Sequence, residues 1–154
     1  MGFLPDPLHP AVIHFPIALA MVAVLVESLA RIPRWRVLES AAVLLIVLAA
    51  LGSVAAVVTG NAAHDEAVIP AGAHDLVAQH EEVGEIAMWS LVALAVVRVV
   101  LAWSRRFVGA IPWAYLLLVA AASGVVGYNG HLGGRLVFDH GVGTAPVQRA
   151  PASH

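Results

Sequence analysis

Long apolar runs alternate with short polar breaks along this chain. Unbroken apolar stretches cover roughly 13–30, 38–60, 86–103 and 111–128, each close to the ~20 residues that a helix needs to cross a bilayer. None shows the period-two alternation of a membrane barrel strand. The pattern therefore predicts an all-α membrane protein, a bundle of four transmembrane helices running up-down-up-down. If the helices follow chain order, spans one and three lie on one diagonal and spans two and four on the other. Asp75 stands where it can cap a helix that carries Leu76, Val77 and His80 into Ile86, so the third helix is expected to start before the membrane. Pro16 marks a helix start or a kink in the first run. After His131 the glycines Gly133, Gly134, Gly141 and Gly143 surround Leu136, Val137 and Phe138, which are too few to cross again. That segment is expected to fold over the end of the bundle. Residues 1–144 are read as one transmembrane domain and residues 145–154, including His154, as a flexible tail.

Composition agrees with the pattern: 60% of residues are hydrophobic and 12% charged, with a mean hydropathy of +0.87, values foreign to water-soluble domains. The segment Met1 to Pro10 has neither the basic stretch nor the cleavage site of a secretory signal, so the first span is expected to stay in the chain. There is no lysine. Arg31, Arg34 and Arg36 lie between spans one and two, and Arg105 and Arg106 between spans three and four. The positive-inside rule puts both loops in the cytoplasm and both termini on the outer face. Asp6, Asp65, Glu66, Asp75, Glu81, Glu82, Glu85 and Asp139 then share the outer side, opposed there by Arg135 and Arg149. A net charge of −2 and an acidic outer face give no reason to expect nucleic acid. The absence of cysteine rules out disulfides, iron–sulfur clusters, zinc–thiolate sites and covalent c-type haem attachment by this chain alone.

The same threading gathers the seven histidines ahead of the tail on the outer side. Ionisable groups at membrane depth are costly and are functional candidates by default. His14, one turn into span one among apolar and aromatic neighbours, is the leading candidate, against a histidine that merely bonds a carbonyl freed by Pro16. His80 is second, because Gly84 and Met88 continue its helical stripe. His64 and His131 follow the ends of spans two and four. His9 and His140 lie in flanking segments where an interface role outweighs a ligand role, and His74 is weaker still. Gly52, Ala56 and Gly60 in span two, and Ala120, Gly124, Gly127 and Gly130 in span four, form small ridges that serve close helix contact or a slot for a flat macrocycle. Glu27 and Arg98, near the inner ends of their spans, are expected to pair across the bundle in a structural role.

Two stretches carry a family resemblance: His9-Pro10 with His14-Phe15-Pro16-Ile17-Ala18-Leu19 at the start, and Gly133-Gly134-Arg135-Leu136-Val137-Phe138-Asp139-His140-Gly141-Val142-Gly143 at the end. The chain resembles, over nearly its whole length, the bacterial membrane family catalogued as domain of unknown function 2231. The resemblance implies a small four-helix protein of the bacterial inner membrane. Some relatives are joined to Rieske or cytochrome c-like domains, which implies electron transfer. It adds weight to His9, His14, His80 and His140, whereas His64 and His131 rest on position.

The leading expectation is a b-type cytochrome-like electron-transfer protein with bis-histidine haem b near the outer face. Imidazoles from two facing helices can take both axial positions of an iron, leaving no open site for oxygen chemistry. His14 with His80 is the expected first pair and His64 with His131 a second. Quinol as donor and a c-type cytochrome or Rieske protein as acceptor would be the partners, with membrane lipid around the bundle and a homo-oligomer or larger complex as its setting. The alternative is a non-haem copper, zinc or iron centre drawing on His9, His14, His64, His80, His131 and His140 with Asp65, Glu66, Glu81 or Asp139. A third reading is non-enzymatic: a pH-sensing or anchoring subunit of a respiratory complex.

Overall fold

The computed structural model describes residues 9–66 and 69–143, except for the side chains of Asp65 and Glu66. The tail expected at 145–154, with His154 and Arg149, lies outside the described residues, as does Asp6. All regular structure among the described residues is helical: α1 (His9–Val12), α2 (His14–Ala30), a 3₁₀ segment (Pro33–Leu38), α3 (Glu39–Glu66), α4 (His74–Trp103) and α5 (Ile111–Phe138). Four rods result, α1 and α2 counting as one interrupted at Ile13, and each is long and apolar enough to cross a membrane. The rods pack in chain order, with α2 closing on α5, so the α2/α4 and α3/α5 diagonals expected from the sequence are present.

The distribution of side-chain size is that of a protein solvated by lipid. The core is made of small residues, including Ala20, Ala23, Ala49, Ala87 and Ala95, around Ile46, Leu91, Tyr115 and Val119. Large apolar side chains such as Phe15, Leu44, Leu51, Trp89, Leu117 and Leu118 face outward. No hydrophobic force separates core from lipid, so association rests on close backbone approach and interhelical hydrogen bonds. The Ser123 hydroxyl donates to the Ala20 carbonyl at 3.2 Å and the Tyr115 hydroxyl to that of Leu94 at 3.1 Å. The small ridges act the same way. A Cβ on Gly52 would stand 3.3 Å from Pro16, one on Gly127 3.3 Å from Met21, and one on Gly130 3.4 Å from Ile17. These positions are filled by side chains of the facing helix, which favours helix contact as their role.

Two segments depart from the sequence reading. α4 begins at His74 after Ala73, with no side-chain cap. Asp75 therefore lies in the first turn, where its carboxylate meets the helix dipole. α5 does not stop near Tyr128 but runs through Gly133 and Gly134 to Phe138. The segment expected to fold over the bundle end is instead a continuation of the fourth rod. Leu132 and Leu136 are buried against Ala73, Leu76 and Val77, and that burial outweighs the roughly 1 kcal/mol that each glycine costs a helix.

At one end of the bundle Glu27 of α2 meets Arg98 of α4, Nε to Oε1 at 2.7 Å, both about 1% exposed, and Arg31 holds the second carboxylate oxygen at 3.1 Å. The Arg98 guanidinium lies 3.6 Å from the centroid of Phe107. This is the structural cross-bundle pair expected from the sequence. The arginine-bearing connections share this end. The histidines gather at the other, where His9 begins the described chain and α5 finishes it.

Candidate functional site

His9 and His80 reach the bundle interior from opposite rods. The His9 ring, half-buried, donates Nδ1–H to the carbonyl of Ala56 in α3 at 2.9 Å, with the Thr59 hydroxyl oxygen 3.3 Å away. His80 of α4 donates Nδ1–H to the carbonyl of Asn129 in α5 at 3.2 Å. A carbonyl only accepts, so Nδ1 carries the hydrogen in both rings and each neutral imidazole keeps its lone pair on Nε2. The ring centroids are 6.5 Å apart and the planes cross at 78°.

Glycines make room for both rings. A Cβ on Gly60 would approach His9 Cε1 to 3.1 Å, and one on Gly133 would approach His80 Cε1 to 3.1 Å. Gly84 does the same for Asn129, whose Nδ2 lies 3.1 Å from where its Cβ would be. Asn129 also carries a buried side-chain oxygen with no hydrogen-bond partner among the described residues. Hydrogen-bonded imidazoles packed against glycines, with an unmet acceptor beside them, form a polar cluster that costs energy unless it serves something.

The other candidates fall elsewhere. His14 is exposed on the flank of α2, next to the outward Phe15, and its Nδ1 bonds the Pro10 carbonyl one turn back at 2.8 Å. The structure does not bring it to His80. His64 is paired with Glu81 of α4, and His131 is exposed without a hydrogen bond or ion pair among the described residues. His140 is half-buried, and His74 is exposed with Nδ1 3.3 Å from the Ala71 carbonyl. Asp139 pairs with Arg135 in its own last turn. Asp65 and Glu66 close α3, with side chains outside the described residues. Among the described residues no three His, Asp or Glu side chains converge as a metal would require.

Asn129 and Thr59 went unnoticed in the sequence. The signal was there for Asn129, a lone amide within the small-residue stretch Gly127-Tyr128-Asn129-Gly130. The profile of a family described as predicted membrane protein matches residues 5–146. No curated protein and no solved structure matches the chain.

Proposed function

The chain belongs to the family of predicted membrane proteins catalogued as domain of unknown function 2231, and from that premise we propose that it is a b-type cytochrome-like electron-transfer protein whose haem would be held by His9 and His80. One observation carries the reading: two imidazoles from diagonal rods, 6.5 Å apart, each with Nδ1 tied to a backbone carbonyl. Two rings that share one metal ion through nitrogens about 2 Å from it hold their centroids about 6 Å apart. A carbonyl on Nδ1 fixes the tautomer, aims the ring and raises its basicity, as for histidines that bind metals.

The number of ligands favours haem over the non-haem alternative. A zinc or copper site needs three or four protein donors, whereas a porphyrin supplies four nitrogens and asks the protein for two. The residues fit such a group in two respects. Gly60 and Gly133 keep the surroundings of the imidazoles free of side chains, and Asn129 offers an unmet polar atom beside them. A bound b haem would supply one-electron redox chemistry. The chain's own residues orient the two imidazoles, hold Nε2 unprotonated and exclude water with the apolar contacts of Leu76, Val77, Leu132 and Leu136. In this reading the protein sits in the bacterial inner membrane with its arginine loops in the cytoplasm, between a membrane quinol and an external c-type cytochrome or Rieske protein.

The test is a visible spectrum of protein purified in mild detergent. The expected result is a Soret band that sharpens on reduction, lost in His9→Ala and His80→Ala and kept in His14→Ala and His64→Ala. Full haem content in His9→Ala would refute the pairing. A colourless preparation carrying stoichiometric metal would replace haem with the non-haem centre.

A further inference from the structure

We propose that the arginine end binds one anionic phospholipid, its phosphate held by Arg36, Arg98 and Arg105 and one acyl chain lying along the α3/α4 groove. The connection between α2 and α3, the end of α4 and the start of α5 enclose a cavity of about 480 Å³. Arg31, Arg36, Arg98 and Arg105 line it, against a single carboxylate, Glu39. Glu27 stands behind Arg98 and Arg31, and with both carboxylates counted the four guanidiniums leave an excess of two positive charges. The demand for an anion also shows in one atom. Arg98 is 1% exposed, spends Nε on Glu27, and has a buried Nη2 with no partner among the described residues. A buried cationic donor left unmet is costly, and a phosphate oxygen is the acceptor that guanidinium geometry suits best.

Arg105 adds a second sign. α4 ends with Arg105 N–H bonded to Ala102 O and Arg106 N–H to Leu101 O. That is a Schellman close, whose left-handed position glycine normally takes. Here Arg105 holds it at φ 54°, and its side chain lines the cavity.

The shape favours a lipid over free phosphate. Directly along the bundle a second groove of about 410 Å³ runs between α3 and α4, lined by Val47, Leu51 and Val54 on one side and Val92, Val96 and Val99 on the other. Val43 and Leu101 of the arginine cavity lie one turn or less from this groove on the same two helices. From Val43 to Val54 the two cavities span about 16 Å of helix at 1.5 Å per residue, cationic at one end and aliphatic at the other. Trp113 at the rim is 58% exposed, as suits an indole at the headgroup level. Basic pockets between helices are where anionic headgroups dock.

The full chain, purified in mild detergent, is offered phosphatidylglycerol, phosphatidylcholine or inorganic phosphate and followed by native mass spectrometry and thermal unfolding. One phosphatidylglycerol per chain is expected to remain bound, with phosphatidylcholine about tenfold weaker. Arg36→Gln with Arg105→Gln, both at exposed positions that leave Glu27–Arg98 intact, weakens phosphatidylglycerol at least tenfold, the loss expected of one charge-assisted bond or more. Val96→Trp, which fills the groove without touching the arginines, weakens it as well. Equal retention of the two lipids, indifference to Arg36→Gln/Arg105→Gln, or stabilisation by inorganic phosphate equal to that by the lipid would each overturn the proposal.

Discussion

Glu27→Gln isolates the energetics of the bundle's buried charges. The substitution keeps side-chain volume, so no cavity term enters, and removes the carboxylate that faces Arg98 at 2.7 Å and Arg31 at 3.1 Å. Arg98 is 1% exposed and cannot turn to water, so its charge is stranded. Breaking a buried pair from one side costs about 3–5 kcal/mol. The Phe107 ring under Arg98 at 3.6 Å contributes about 2 kcal/mol of cation–π attraction that survives the substitution, which points to the lower part of that range. At about 2–4 °C per kcal/mol for a chain of this size, the thermal midpoint followed by circular dichroism in detergent should fall by about 6–15 °C. Glu27→Leu combined with Arg98→Met should recover most of the loss, because well-packed apolar residues replace buried pairs at little cost. A fall of under about 2 °C in Glu27→Gln, or a double variant no better than the single, would show that the pair does not hold this end together.

Adjacent glycines in α5 form a matched comparison. Gly134 has nothing within 4 Å of an added Cβ, so Gly134→Ala should stabilise by about 0.5–1 kcal/mol through helix propensity alone. Gly133→Ala gains the same propensity but drives a Cβ to 3.1 Å from His80, an overpacking cost of about 1–3 kcal/mol; its net effect is destabilising, and haem per chain measured by absorbance should drop in Gly133→Ala alone. At the other end, Arg105→Gly relieves a left-handed residue worth about 1 kcal/mol, so the thermal midpoint of lipid-free protein rises by about 2–4 °C while retention of phosphatidylglycerol in native mass spectra falls.

Apolar length alone revealed the four rods, and two isolated charges in apolar runs revealed the Glu27–Arg98 pair, because each is a property of sequence spacing. Which histidine turns inward is a matter of phase. His9 and His14 are five residues apart, about 140° around a helix axis, so only one can face the core. The start of the run, broken at Ile13 ahead of Pro16, hid which one. The apolar setting of His14 drew attention to it, yet a side chain amid apolar neighbours in a membrane protein can as well face lipid. Gly133 and Gly134 misled in a similar manner. Their low helix propensity reads as a tail, and it was overruled by Leu132 and Leu136 meeting residues of α4 some sixty positions earlier in the chain, a contact that no local pattern announces.

The two cross-bundle contacts lie on one diagonal: His9 meets His80 at one end, and Glu27 meets Arg98 at the other. A frame of four posts braced along a single diagonal is stiff against shear in that plane and compliant in the other. The rods α3 and α5 share no polar contact among the described residues and do not pack against each other directly. The first and third rods thus act as a strut between the polar rims, and the second and fourth as panels hung upon it.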